Sequence, residues 1–93
     1  MTRQEHLLVI LMEECAEVSQ RASKALRFGV DEVQPGQEAT NTERLAAELC
    51  DLMAVVEMLG ENMSLVEPPG GLDQKRAKVE RYLDYSKGVG SLS

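Results

Sequence analysis

The sequence predicts an all-α domain, an antiparallel bundle of about three main helices whose core is completed by oligomerisation. Three observations carry that expectation. Apolar residues recur at helical spacing in three stretches, and no stretch shows the alternation of a strand. Clusters of Gly and Pro separate the stretches. Finally, 93 residues with 3% aromatics, no Trp and one Phe leave a small aliphatic and thioether core. Such a core is marginal on its own, and association of copies is a natural remedy.

Each element follows from its local pattern. The first helix runs from about Arg3 to Phe28, with Leu7, Leu11, Val18, Ala22, Ala25 and Leu26 at helical spacing, and Gly29 as its stop. Residues 29–40, polar and with a Pro-Gly pair, form a loop. The second helix opens on the capping box Thr40-Asn41-Thr42-Glu43 and continues through Leu45, Leu49, Leu52, Val55, Val56 and Leu59 to about Met63. Pro68-Pro69-Gly70-Gly71 breaks the chain. Asp73 is then expected to cap a third helix from Gln74 to about Lys87, with Ala77, Val79, Tyr82 and Leu83 as its apolar positions. The chain reads as one domain, 1–93, with 88–93 a flexible arm.

Charge narrows the function classes. The net charge is −6, which argues against nucleic acid as a partner, since that requires a basic footprint. The charge is uneven: five basic and 13 acidic side chains precede Asp73, and five basic and three acidic follow from it onward. No apolar run approaches the ~18 residues of a membrane span. No signal region follows the N-terminal MTRQEH, so the expectation is a soluble, cytoplasmic domain with no membrane partner. Cys15 and Cys50 lack metal-ligand spacing and read as core thiols of a reducing compartment, and His6 as solvent-facing.

The chemistry lies in acidic residues set inside the apolar stripes. With Glu14 at zero and about 100° per residue, Leu7, Val18 and Leu11 fall at about +20°, +40° and +60°, and Glu17 lies about 60° to one side. With Glu48 at zero, Leu59, Leu52 and Val55 fall at about +20°, +40° and −20°, and Asp51 again lies about 60° away. If these faces pack together, four carboxylates converge. Burying them unpaired is costly, because each loses its hydration.

Two compensations are open. Arg21, one turn beyond Glu17, neutralises part of such a cluster, and Arg21 and Arg44 together can pair with the acids across an interface. A hard divalent cation is the other: Mg²⁺, with Mn²⁺ as substitute, takes oxygen ligands and keeps waters and phosphate oxygens in its shell. Glu13, about 100° from Glu14, is then either a further ligand, an outer-shell base or a solvated side chain.

The run Glu13-Glu14-Cys15-Ala16-Glu17, a loop, then Glu48-Leu49-Cys50-Asp51 resembles the EExxE…ExxD arrangement of the all-α nucleoside triphosphate pyrophosphatases, the MazG-like family. Asp51-Leu52-Met53 lacks the Tyr-His associated with phosphoribosyl-ATP pyrophosphohydrolases, and the Phe28-Gly29-Val30-Asp31 loop looks like compact bacteriophage forms. The resemblance implies Mg²⁺-dependent cleavage of a ribo- or deoxynucleoside triphosphate to monophosphate and pyrophosphate. It implies Glu14, Glu17, Glu48 and Asp51 as metal ligands and a homo-oligomer, dimer or tetramer; Glu13 and Glu14 are the candidate catalytic groups. A phage-encoded member would act in the host cytoplasm.

No Gly-rich phosphate loop with a following Lys is present, so basic side chains must help hold a triphosphate. Lys75, Lys78 and Arg81 on one face of the third helix are candidates, with Arg21 and Lys24 on the first. A solvated helix face explains the third-helix charges equally well. Two other readings remain open: a non-enzymatic helical module whose acidic stripe binds a basic partner, and a nucleotide-binding sensor without turnover.

Overall fold

The computed structural model describes all residues, 1–93, and is helical without strands. Helices α1 (Arg3–Phe28), α2 (Asn41–Gly60) and α3 (Gly71–Gly88) match the three expected stretches. No helix is long and apolar enough to cross a membrane.

Two capping boxes start α1 and α2. Thr2 Oγ1 accepts from the Glu5 amide (3.1 Å) while Glu5 Oε2 accepts from the Thr2 amide (2.9 Å). Thr40 and Glu43 repeat the exchange, at 3.1 Å in both directions, at the predicted position. The Thr40 amide holds the Glu43 carboxyl below its ordinary pKa. α1 stops at Gly29, whose φ of 110° and ψ of 143° suit glycine alone.

α1 and α2 pack antiparallel as a hairpin. Leu7 near the start of α1 clusters with Val55 and Leu59 near the end of α2, and Leu11, Met58 and Met63 close around them. At the other end Ala25 and Asn41 are buried. The covered positions of α1 include Leu7, Leu11, Glu14, Val18, Arg21 and Ala25; those of α2 include Asn41, Leu45, Glu48, Leu52, Val55 and Leu59. Both sets step alternately by four and three, the spacing of a coiled-coil seam.

The loop 29–40 is tied to the start of α2. Asn41 is 2% exposed, and its Nδ2 donates to Gly29 O (2.8 Å) and Glu32 Oε1 (3.1 Å). Thr42 Oγ1 donates to Val30 O (2.9 Å), and Arg44 Nη1 donates to Gln34 Oε1 (2.9 Å). The end of α1 is thereby clasped to the start of α2.

α3 begins at Gly71, two residues ahead of the expected Asp73 cap. Gly70, at φ 81°, is the N-cap, and Asp73 sits inside the first turn, where its charge suits the helix dipole. The Glu67 carboxylate caps instead, its Oε1 accepting from the Leu72 amide at 3.1 Å. Gly71 has φ 38°, and a Cβ there would collide with the Glu67 carboxylate. Within one chain α3 packs against neither α1 nor α2 and buries no residue, so the single-chain bundle is the α1–α2 pair. The radius of gyration is accordingly 16.7 Å, against about 12 Å for a compact chain of this length. At the chain end, Ser86 O accepts from the Ser91 and Leu92 amides (2.8 and 3.1 Å), folding the expected arm over the last turn of α3. Cys15 and Cys50, expected as core thiols, are both exposed; each lies outside the covered seam positions.

Candidate functional site

The seam places carboxylates where apolar side chains would otherwise continue. Glu14 and Glu48 are half-buried, Glu17 is exposed beside them, and one oxygen from each lies within 4.8 Å of the others. Because α1 and α2 run antiparallel, the middle turn of one meets the middle turn of the other, and the two central glutamates share that level.

Two oxygens in the cluster, Glu14 Oε2 and Glu48 Oε2, are shielded from solvent and have no hydrogen-bond partner. Arg21 Nη1 is shielded and unpartnered as well. Arg21 lines the same cleft as Glu48, yet this nitrogen neutralises neither glutamate through a hydrogen bond. The electrostatic result is visible in both acids. Glu14 is pushed above its ordinary pKa, first by loss of hydration and then by the negative charges of Glu17 and Asp51. Glu48 is pushed up by loss of hydration, then by Glu17, Asp51 and Glu14. Two acids that hold protons more tightly than free glutamate mark a site where negative charge is crowded and cationic compensation is missing.

Beside the cluster opens a cleft of about 330 Å³, lined by Glu17, Gln20, Arg21, Arg44, Ala47 and Glu48. It carries carboxylates and guanidinium groups together. Arg44 is held in part by its bond to Gln34, which ties the 29–40 loop to the cleft wall.

The sequence-predicted residues divide into those brought together and those left apart. Glu14, Glu17 and Glu48 converge. Asp51 is exposed and outside that triplet, although its charge reaches Glu14 and Glu48. Glu13 is exposed and outside the triplet, and Lys24 is half-buried without lining the cleft. Lys75, Lys78 and Arg81 are exposed on α3, which approaches neither α1 nor α2, so within one chain they do not reach the cleft. Lys78 and Arg81 instead share a surface hollow with Tyr82 and Tyr85, where Lys78 Nζ lies 6.0 Å from the Tyr82 ring centre.

Sequence reasoning weighed Arg44 only as an ion-pair partner and passed over Gln20. The signal was present: Arg44 is one turn before Glu48 on α2, and Gln20 and Arg21 follow Glu17 by three and four residues on α1. No family model matches the chain, and no curated protein and no solved structure matches it.

Proposed function

We propose that the chain is a Mg²⁺-dependent nucleoside triphosphate pyrophosphohydrolase of the MazG-like type, converting a ribo- or deoxynucleoside triphosphate to its monophosphate and pyrophosphate in nucleotide-pool control. The observation that carries the reading is the pair of shielded, unpartnered oxygens on Glu14 and Glu48, set beside Glu17 and next to a cleft with two arginines.

The donor set fits the metal. Three carboxylates from two helices offer hard oxygen atoms, which suit Mg²⁺ or Mn²⁺ and not the soft metals that thiolates select. Glu14, Glu17 and Glu48 would hold it, with Asp51 at the edge of the group. Bound there, the ion would supply charge neutralisation on the phosphate oxygens and a lowered pKa for a coordinated water.

The remaining work falls to side chains of this chain. Arg21 and Arg44, on opposite walls of the cleft, bind polyphosphate oxygens; Gln20 adds a neutral donor. Glu14 and Glu13 are the catalytic carboxylates of this reading: Glu14 holds the metal, and Glu13, exposed and outside the clustered triplet, takes the proton of the attacking water. Phosphoryl transfer of this kind needs alignment and charge stabilisation more than a protein nucleophile.

The test is a product assay with Mg²⁺ or Mn²⁺ and a panel of ribo- and deoxynucleoside triphosphates. Monophosphate and pyrophosphate from one or more members supports the reading and names the base. Diphosphate and phosphate, or no turnover of any member with either metal, overturns it.

A further inference from the structure

We infer that α3 docks in the apolar groove on the outer face of α2 of a second copy of this chain, each copy lending its α3 to the other. The groove lies on the face of α2 next to the carboxylate seam, and none of the three clustered carboxylates lines it.

The groove is formed by Ala46, Leu49, Cys50, Met53 and Ala54, with Glu57 at its rim, and encloses about 370 Å³. Leu49 and Met53 are 41% and 63% exposed. Ala46, Leu49 and Met53 each sit one residue beyond a seam position of α2, so they form a second apolar stripe about 100° around the helix. A helix with two apolar stripes has a place for two neighbours, and α1 fills one.

α3 presents the matching element. Leu72, Val79 and Leu83, spaced by seven and four, share one face and are all exposed. Lys75 and Arg76 flank that face, opposite in sign to Glu57 at the groove rim. Helices in proteins draw most of their stability from packing an apolar face, and α3 packs none of its own within one chain.

Two observations identify the occupant as a second copy. The chain's own α3 does not pack on α2; it starts from the Pro68–Gly71 turn, where Gly71 N donates to Pro68 O (2.9 Å) and Glu67 clamps the start of the helix. Surface area gives the second: the chain exposes 7352 Å², whereas a folded chain of 10.3 kDa exposes about 5,400 Å². The excess is about 2,000 Å² per chain, or about 4,000 Å² for a pair, within the range of total surface that obligate dimers bury. Charge points the same way, since the segment from Asp73 onward is basic and the body before it acidic.

Cys50 lies in the groove and provides the test. In the full chain carrying Cys15→Ser and Leu83→Cys, oxidation with diamide is expected to give a covalent dimer of about twice 10.3 kDa. Peptide mapping should show position 83 of one chain joined to Cys50 of the other, and adding Cys50→Ser should abolish the link. Val79→Cys serves in parallel should substitution at Leu83 disturb folding. A link within one chain, a link joining position 83 only to itself, or a dimer by sedimentation with no link from either position each overturns the inference. So does a monomer by sedimentation that keeps its full helicity.

Discussion

Glu14 on α1 and Glu48 on α2 meet across one helical seam, and each leaves its Oε2 shielded from solvent and without a hydrogen-bond partner. A seam that gains stability from Leu7, Val55 and Leu59 at one end is interrupted in its middle by groups that oppose burial. That opposition makes the site testable even before its substrate is identified.

Glu48→Gln keeps the size and helical preference of the side chain while removing its charge. On the proposed function, turnover of a nucleoside triphosphate should fall by more than about a hundredfold, with helicity by circular dichroism unchanged. Full activity in this variant would remove Glu48 from the metal set.

Divalent cations should raise the melting temperature, because a ligand that binds only the folded seam stabilises it by mass action. At a hundredfold excess over the dissociation constant the shift should be on the order of 10 °C for a domain of this size. Scanning calorimetry with Mg²⁺ and Mn²⁺ checks this, and Glu48→Gln should lose most of the shift.

The metal-free protein should become more stable on mild acidification. Glu14 and Glu48 have folded pKa values above the ordinary 4.5, so the folded state holds more protons than the unfolded one between 4.5 and the raised values. Their stabilising contribution is complete below 4.5 and is lost as pH rises through the folded values. Glu43 acts in the opposite sense: its contribution is present above 4.5 and fades as pH falls through its lowered value. Melting temperature against pH, in chelator, should therefore rise from neutrality toward the carboxylate range, and Glu48→Gln should flatten part of that rise.

Asn41→Ala should cost about 1–3 kcal/mol, since it strips the buried donor that Gly29 O and Glu32 share. Urea unfolding measures the loss. A change within error would show that the clasp between loop and helix contributes little.

Much of this architecture could be read from residue order. Gly29 and the Thr40–Glu43 box announced one helix end and one helix start, because both depend on local backbone chemistry. The Thr2–Glu5 box carries the same T-x-x-E signature, a local start signal at the head of α1 that periodicity does not contain. Glu14 and Glu48 could be placed at the centres of their stripes because helical phase is fixed by counting. What counting could not supply was partnership. Asn41 reads as an ordinary surface residue until the loop closes over it. Asp73 has the side chain of a cap, but the helix starts two residues earlier, and the capping contact comes from Glu67, whose side chain reaches the new helix across the turn. The distance of Lys75, Lys78 and Arg81 from the cleft depends on the direction α3 takes, which no periodicity encodes.

The alternating steps of four and three that run through Leu7, Glu14 and Arg21 on α1 and through Asn41, Glu48 and Leu59 on α2 would tolerate a slip if every position were leucine. A displacement of seven residues would keep the geometry of such a zipper and lose only its ends. Here a slip one way would set Glu14 against Val55, a slip the other way would set Glu48 against Leu7, and either would separate the two glutamates. In the absence of a cation the repulsion between Glu14 and Glu48 opposes this register, whereas a divalent cation bridging them would favour the one alignment in which they share a level.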